Sequence, residues 1–204
     1  MAPVNISFSM MSQTDARATF EPTATERLER TGFKVIPSEV WEDLWNQSAS
    51  DVGGIFDVST GAVDEERFDL VRESVYQTLE SEYDVHAVLY LAVEIDDYYN
   101  PGSTFYFCAT RGEVYFPTDG SLQRNFSLDV TLARAACLVA RLYDMERRFL
   151  YGVQSGLEVI ETFAEQTRAV RPKSERLKDP DRIKEALEAV IGPLADGAGP
   201  QTEE

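Results

Sequence analysis

An almost uninterrupted apolar run from Val85 to Ile95 is the feature that most narrows the folds open to this chain. It reads Val-His-Ala-Val-Leu-Tyr-Leu-Ala-Val-Glu-Ile. A strand that is apolar on both faces has to be covered on both faces. With 204 residues, one domain can supply those covering layers without needing a metal or a disulfide. The run therefore predicts a central strand in a sheet with helices packed on it.

Helix signals surround this strand. The clearest helix runs from Asp64 to about Tyr83, with acidic residues in its first turn and an apolar stripe along its length. A helix over Thr23–Thr31 has Pro22 near its first turn and Gly32 as its stop, and Ser38 caps another. The last helix is expected to be capped by Asp179 and to end at Gly192-Pro193. Residues 46–54 are interpreted as a polar loop.

The remaining apolar segments predict short strands and hairpins. Strands are expected over 4–10, Phe33–Ile36 and 128–143. The strand over 128–143 and the segment Arg148–Val153 are expected to form a hairpin. Residues 157–163 fit either a strand or a helix. Residues 104–110 and 113–116 flank Arg111-Gly112, which indicates another hairpin turning there.

These elements indicate an α/β (α+β) fold, with a single mixed sheet, helices packed on it and β-hairpins in the second half. We expect one domain over residues 1–194 and a disordered acidic tail over 195–204.

The net charge limits the classes of partner that this protein can bind. Nineteen basic against 36 acidic residues give a net charge of −17, which repels nucleic acid and anionic lipid headgroups. No run is apolar enough to span a membrane, and Met1–Asn5 shows no export signal. Two interpretations stay open: a cytoplasmic protein, or an exported one whose signal precedes this sequence.

No arrangement of residues predicts catalysis. His86 is the single histidine, and the sequence has no phosphate-binding loop or nucleophile elbow. The segment Asp57–Asp64 resembles a calcium loop, but Ala62 and Phe68 stand where that loop needs glycine and glutamate. We therefore expect no catalytic, cofactor-binding or metal-binding residues and no cofactor.

Two clusters nevertheless carry hypotheses. Glu94, Asp96 and Asp97 at the end of the central strand could serve a hydrolase acting on a sugar or phosphate. A dense aromatic set could form a surface for partners or self-association, with burial under another layer as the alternative. Its members are Tyr98, Tyr99, Phe105, Tyr106, Phe107, Tyr115 and Phe116.

The two cysteines, Cys108 and Cys137, lie in apolar, strand-like runs and fit no metal or redox motif. A disulfide in an oxidising compartment and two buried thiols both remain open.

The order of elements resembles an uncharacterised group of bacterial envelope lipoproteins over about residues 4–194. The matching segments are Glu29–Trp45 (ERTGFKVIPSEVWEDLW), Gly53–Val75, Val85–Ile95, Ala136–Ile160 and Leu177–Leu194. The most specific are Gly53–Phe68 and the final DPDRI helix. That group is similar to the curli-secretion lipoprotein and the TolB amino-terminal domain.

The resemblance implies a lipid-anchored protein at the periplasmic face of the outer membrane that binds other envelope proteins or itself. It implies no functional residues. The sequence departs from the group in lacking a signal with its lipidated cysteine and a glycine in the turn Asp144–Arg147. We therefore expect a non-enzymatic binding or assembly component of the cell envelope. The alternatives are the carboxylate-dependent hydrolase and a subunit of a homo-oligomeric secretion pore or ring.

Overall fold

The computed structural model describes residues 1–6, 10–99, 104–113, 130–164 and 167–195. Its helices are α1 (Gln13–Arg30), α2 (Ser38–Asp51), α3 (Glu65–Tyr83) and α4 (Pro180–Ala195), with a short 3₁₀ turn at Lys173–Glu175. Its strands are β1 (Asn5–Ile6), β2 (Ala87–Tyr99), β3 (Thr104–Phe107), β4 (Thr110–Glu113), β5 (Val130–Asp144), β6 (Phe149–Ala164) and β7 (Thr167–Val170).

Five strands form one mixed sheet in the order β1-β2-β5-β6-β7. β1 runs parallel to β2, and the other neighbours are antiparallel. Strands β3 and β4 form a separate two-stranded hairpin. The predicted mixed α/β architecture, with helices packed on a single sheet and hairpins in the second half, is confirmed.

The two faces of the sheet are covered differently. Helices α1 and α4 pack together on one face, where their apolar residues join those of β2, β5 and β6 in the largest core cluster. On the other face, α2 and α3 cover one end of the strands through Trp41, Val75 and Val88, among others. The β3–β4 hairpin covers the opposite end through Phe105, Phe107 and neighbouring apolar residues. A stretch of sheet between these two covers remains partly accessible.

The structure confirms the predicted starts of α3 and α4 and the central strand. The Asp64 side chain accepts a hydrogen bond from the Arg67 amide, so it caps α3 as expected. The Asp179 side chain accepts from the Asp181 and Arg182 amides at the start of α4. The central strand is confirmed and is longer than predicted, since it continues through Asp97 to Tyr99.

The first two helices are longer than predicted. α1 begins at Gln13, capped by Ser12, and contains Pro22 instead of starting beside it. Its buried residues recur every four positions across the proline, so packing outweighs the lost hydrogen bond. They are Ala16, Phe20, Ala24 and Leu28. α2 continues to Asp51, so the predicted loop over residues 46–54 is wrong for residues 46–51 and holds only for residues 52–54. Its capping residue is Pro37, and the Ser38 hydroxyl donates instead to Glu21.

Other predictions were also wrong. Residues 33–36 form no strand, because the position beside β2 is taken by the N-terminal segment, where the Ala2 amide donates to the Leu89 carbonyl. Helix α4 runs through Gly192-Pro193 to Ala195, with Leu194 packed on the core. The hairpin turns at Cys108-Ala109 and not at Arg111-Gly112.

Some expected elements lie wholly or partly outside the described residues. The strand expected over 4–10 is described only as Asn5–Ile6, and residues 196–204 of the expected tail are not described. The ambiguous segment 157–163 belongs to β6.

Two glycines of β6 make a matched test of the hairpin's packing. A Cβ on Gly156 would lie 2.6 Å from the buried Phe107 ring and 2.9 Å from the Phe107 carbonyl oxygen. The Phe107 backbone cannot move away without disturbing the hairpin. Gly156→Ala should therefore lower the free energy of unfolding by about 1–3 kcal/mol in urea denaturation. A Cβ on Gly152 meets only the Phe149 ring at 2.6 Å, and that side chain is 57% exposed.

Gly152→Ala should therefore change stability by less than about 0.5 kcal/mol, because the exposed ring can rotate away. Equal losses in the two variants would contradict the close packing of the hairpin on β6.

Candidate functional site

A groove of about 1020 Å³ lies on the partly accessible stretch of sheet, between the N-terminal segment, α2, α3, β2 and β5. Six aromatic side chains contribute to its lining, so we call it the aromatic groove. They are Trp41, Trp45, Phe68, Tyr76, Tyr90 and Tyr143. Charged side chains join them, namely Glu42, Arg72, Glu94, Arg141 and Arg147.

Trp41 is the centre of the aromatic set. Its ring stacks on Trp45 one turn along α2, with centroids 6.3 Å apart and planes inclined by 13°. It meets Tyr76 and Tyr90 edge-on, each at 5.8 Å. Trp41 is buried, whereas Trp45 and Tyr90 are half-buried. Both rings line the groove, and Trp45 is the more accessible of the two.

Two tyrosine hydroxyls meet within the groove. The hydroxyl oxygens of Tyr76 and Tyr90 are 3.0 Å apart and share a hydrogen bond. Burial raises the pKa of both phenols above the usual value. Both hydroxyls are therefore neutral at physiological pH and can donate as well as accept hydrogen bonds.

An ion pair lies on the sheet part of the lining. Arg141 on β5 donates two hydrogen bonds to the Glu94 carboxylate on β2, at 2.7 and 3.2 Å, and this bonding raises the pKa of Arg141. The side chains remain 43% and 41% exposed, respectively. The paired carboxylate and guanidinium thus keep acceptor and donor sites facing solvent.

Two further arginines line the groove. Arg72 on α3 pairs with Asp69, and its guanidinium lies 5.6 Å from the centroid of the Phe68 ring. Arg147, in the β5–β6 turn, is 3.9 Å from the Glu73 carboxylate. The Arg147 side chain is 43% exposed, so part of its guanidinium faces solvent.

The predicted carboxylate cluster is divided between the two faces of β2. Glu94 and Asp96 lie on the groove face of β2, while Asp97 points to the other face and binds Arg134 at 2.6 and 3.2 Å. Hydrogen bonding from Arg134 lowers the pKa of Asp97, which is the wrong direction for a general acid. Glu94 is held by Arg141, and Asp96 faces the cysteines.

Cys108 and Cys137 form a disulfide that ties the hairpin turn to β5, with Cα atoms 6.0 Å apart. The Asp96 carboxylate lies 3.7 Å from Cys137 Sγ, and the Tyr98 hydroxyl lies 3.1 Å from Cys108 Sγ. The ligand atoms of Asp96 and both cysteines lie within 4.8 Å of one another. A disulfide offers no thiolate, however, and thiolates are the metal ligands.

The predicted aromatic surface divides into buried and exposed members. Phe105 and Phe107 are buried and pack with Tyr98 in the hairpin cluster, so for them the expected outward face is wrong and the covered alternative holds. Tyr99 and Tyr106 are both 74% exposed. Tyr115 and Phe116 lie outside the described residues.

The remaining candidates are local features. His86 has an 85% exposed side chain before β2, 3.9 Å from Asp84, so it is not a core residue. In the segment that resembles a calcium loop, Asp57 accepts hydrogen bonds from Ser59 and Thr60, which lower its pKa to about 2. A turn at Asp57 and the helix cap at Asp64 account for these residues.

Sequence analysis missed the groove as a site, although Trp41 and Trp45 lie one turn apart on α2. Their spacing is the only sequence signal for it, because the other residues come from distant elements. No helix among the described residues is long and apolar enough to cross a membrane. Comparison of the chain with protein-family models, curated proteins and solved structures gave no match.

The tyrosine pair predicts a non-additive double-mutant cycle. Tyr90→Phe leaves the Tyr76 hydroxyl without its partner and should cost about 1–2 kcal/mol of unfolding free energy. The double variant Tyr76→Phe/Tyr90→Phe removes both polar groups and should cost less than Tyr90→Phe alone. Additive losses in thermal or urea unfolding would show that the two hydroxyls do not interact.

The disulfide predicts a stability that depends on reductant. Closing a loop with a sequence separation of 29 residues should contribute about 3–4 kcal/mol. Dithiothreitol should therefore lower the urea midpoint of the wild-type protein and leave the variant Cys108→Ser/Cys137→Ser unchanged. Two titratable thiols in the unfolded, unreduced protein would contradict the bond.

Proposed function

We propose that this protein is a non-enzymatic binding or assembly component of the bacterial cell envelope, facing the periplasm, and that it holds its partner in the aromatic groove. The groove is the observation that carries the proposal. It combines half-buried aromatic surface with a few oriented polar groups, which is the usual composition of a binding site.

The state of the carboxylates favours binding over hydrolysis. Glycoside hydrolysis needs two facing carboxyl groups, one of them with a raised pKa. Here Glu94 and Asp97 lie on opposite faces of β2 and are each bound by an arginine. The Glu94–Asp97 cluster therefore lacks the arrangement that the hydrolase alternative needs, since Asp96, the carboxylate on the same face as Glu94, lies against the disulfide.

The disulfide supports the compartment. Stable disulfides form in the periplasm and other oxidising spaces and are rare in the cytosol. The Cys108–Cys137 bond is buried within the hairpin cluster, where it joins two segments of the fold. A lipid anchor at the outer membrane rests on the resemblance to envelope lipoproteins alone.

Two measurements in the native organism test the proposal. Alkylation of thiols in intact cells should leave Cys108 and Cys137 unmodified, and the protein should fractionate with the envelope. A photocrosslinking residue at Asn46, exposed at the groove, should form adducts with envelope components. The same residue at Lys184, exposed on α4 across the sheet, should not.

A cytoplasmic protein with alkylated cysteines would refute the compartment. Equal crosslinking from Asn46 and Lys184 would refute the groove as the binding site.

A further inference from the structure

We infer that the aromatic groove binds an oligosaccharide that carries carboxylate groups. The inference rests on the proposed function, because it names the ligand class of the same groove. Three properties of the groove support it, namely its size, its aromatic faces and its charge.

The size of the groove favours a ligand larger than a single sugar ring. At about 1020 Å³ the groove is at least twice the size of the depressions at the start of α4 and beside Phe33, which measure about 490 and 340 Å³. It lies across two strands and is bordered by two helices and the N-terminal segment, so several sugar units can lie along it. A single small metabolite would leave most of its aromatic lining uncovered.

The aromatic faces favour sugar rings. A pyranose has an apolar C–H face and a hydroxyl-bearing edge, which match the flat apolar face and polar rim of tryptophan and tyrosine. Trp45, Tyr90 and Tyr143 are half-buried, so each exposes part of its ring to the groove. The Tyr76–Tyr90 hydroxyl pair and the Glu94–Arg141 ion pair supply both donors and acceptors for sugar hydroxyls.

Charge favours carboxylates on that sugar. The groove contains three guanidinium groups, on Arg72, Arg141 and Arg147, in a protein whose net charge is −17. Arg72 and Arg141 are paired with Asp69 and Glu94, and Glu42 is paired with Arg17. Arg147 has only a 3.9 Å contact with Glu73, so it is the guanidinium most open to a carboxylate of the ligand. A planar carboxylate fits the guanidinium fork in two-point contact. The acidic surface elsewhere disfavours a long polyanion such as nucleic acid.

Tryptophan fluorescence gives a direct readout, because Trp41 and Trp45 are the only tryptophans in the chain and both line the groove. The probes are a hexamer of galacturonic acid, a neutral hexamer of glucose and glucose 6-phosphate. We expect the acidic hexamer to change the fluorescence and to bind at least tenfold more tightly than the neutral hexamer. Glucose 6-phosphate separates recognition of an anion alone from recognition of an acidic oligomer.

Variants separate the two parts of the recognition. Arg147→Ala should weaken binding of the acidic hexamer about tenfold and leave the neutral hexamer unchanged. The matched control is Arg30→Ala, an exposed arginine on α1 across the sheet, which should change neither affinity. Trp45→Ala should abolish binding of both hexamers by calorimetry, with Trp45→Phe retaining part of it if the alanine variant is poorly folded.

The inference is overturned if the neutral hexamer binds as tightly as the acidic one, if glucose 6-phosphate matches the hexamer, or if neither hexamer binds. These failures are distinguishable from failure of the proposed function. Envelope adducts from Asn46 that persist without any sugar binding would retain the groove as a binding site and replace its ligand class. Loss of the adducts as well would refute both.

Discussion

The pairing of β2 with β5 is the constraint on which the rest of the structure depends. Their antiparallel register runs without a shift from Ala87 opposite Asp144 to Tyr99 opposite Leu132. Because side chains alternate between faces, this register assigns Val93 to the core under α1 and α4 and Tyr90 to the groove. A slip of one residue would exchange the two sets, so the same pairing specifies both the core and the site.

Pairing of β5 with β6 is less regular, and this irregularity accommodates the hairpin. The register between them shifts at four places, and β-bulges of this kind bend a strand and increase its twist. Near one of these shifts, Gly156 leaves room for the Phe107 ring, and its amide donates to the Thr110 hydroxyl. The hairpin is thus bound to the sheet by a disulfide, a buried ring and a hydrogen bond to β6.

Much of the fold could be predicted because its signals are local. The continuous apolar run indicated β2, and the caps Asp64 and Asp179 marked the starts of α3 and α4. The errors arose where tertiary contacts outweigh local preference. Local preference places Pro22 at the start of a helix, yet buried residues of α1 lie on both sides of it.

The hairpin turn could not have been found from local sequence. Cys108 and Ala109 have φ of 47° and 60°, values that turn chemistry assigns to glycine or asparagine, so Gly112 was the better local candidate. Cys108 is also the residue that the disulfide joins to β5. The groove was missed for a similar reason, because no segment of sequence contains it.

Two ion pairs on opposite faces of the sheet show how stability and binding are separated. Glu161 on β6 is buried and bound by Arg134 and Arg168. Removing either arginine would leave a carboxylate poorly compensated inside the protein, so the fold requires these contacts. The Glu94–Arg141 pair is about two-fifths exposed, and a pair of that kind contributes only about 0–1 kcal/mol to stability. Its main consequence is geometric, since it holds a guanidinium and a carboxylate in fixed positions beside the aromatic rings. Fixed polar groups lose little entropy when a ligand binds, which is the property that a recognition surface needs.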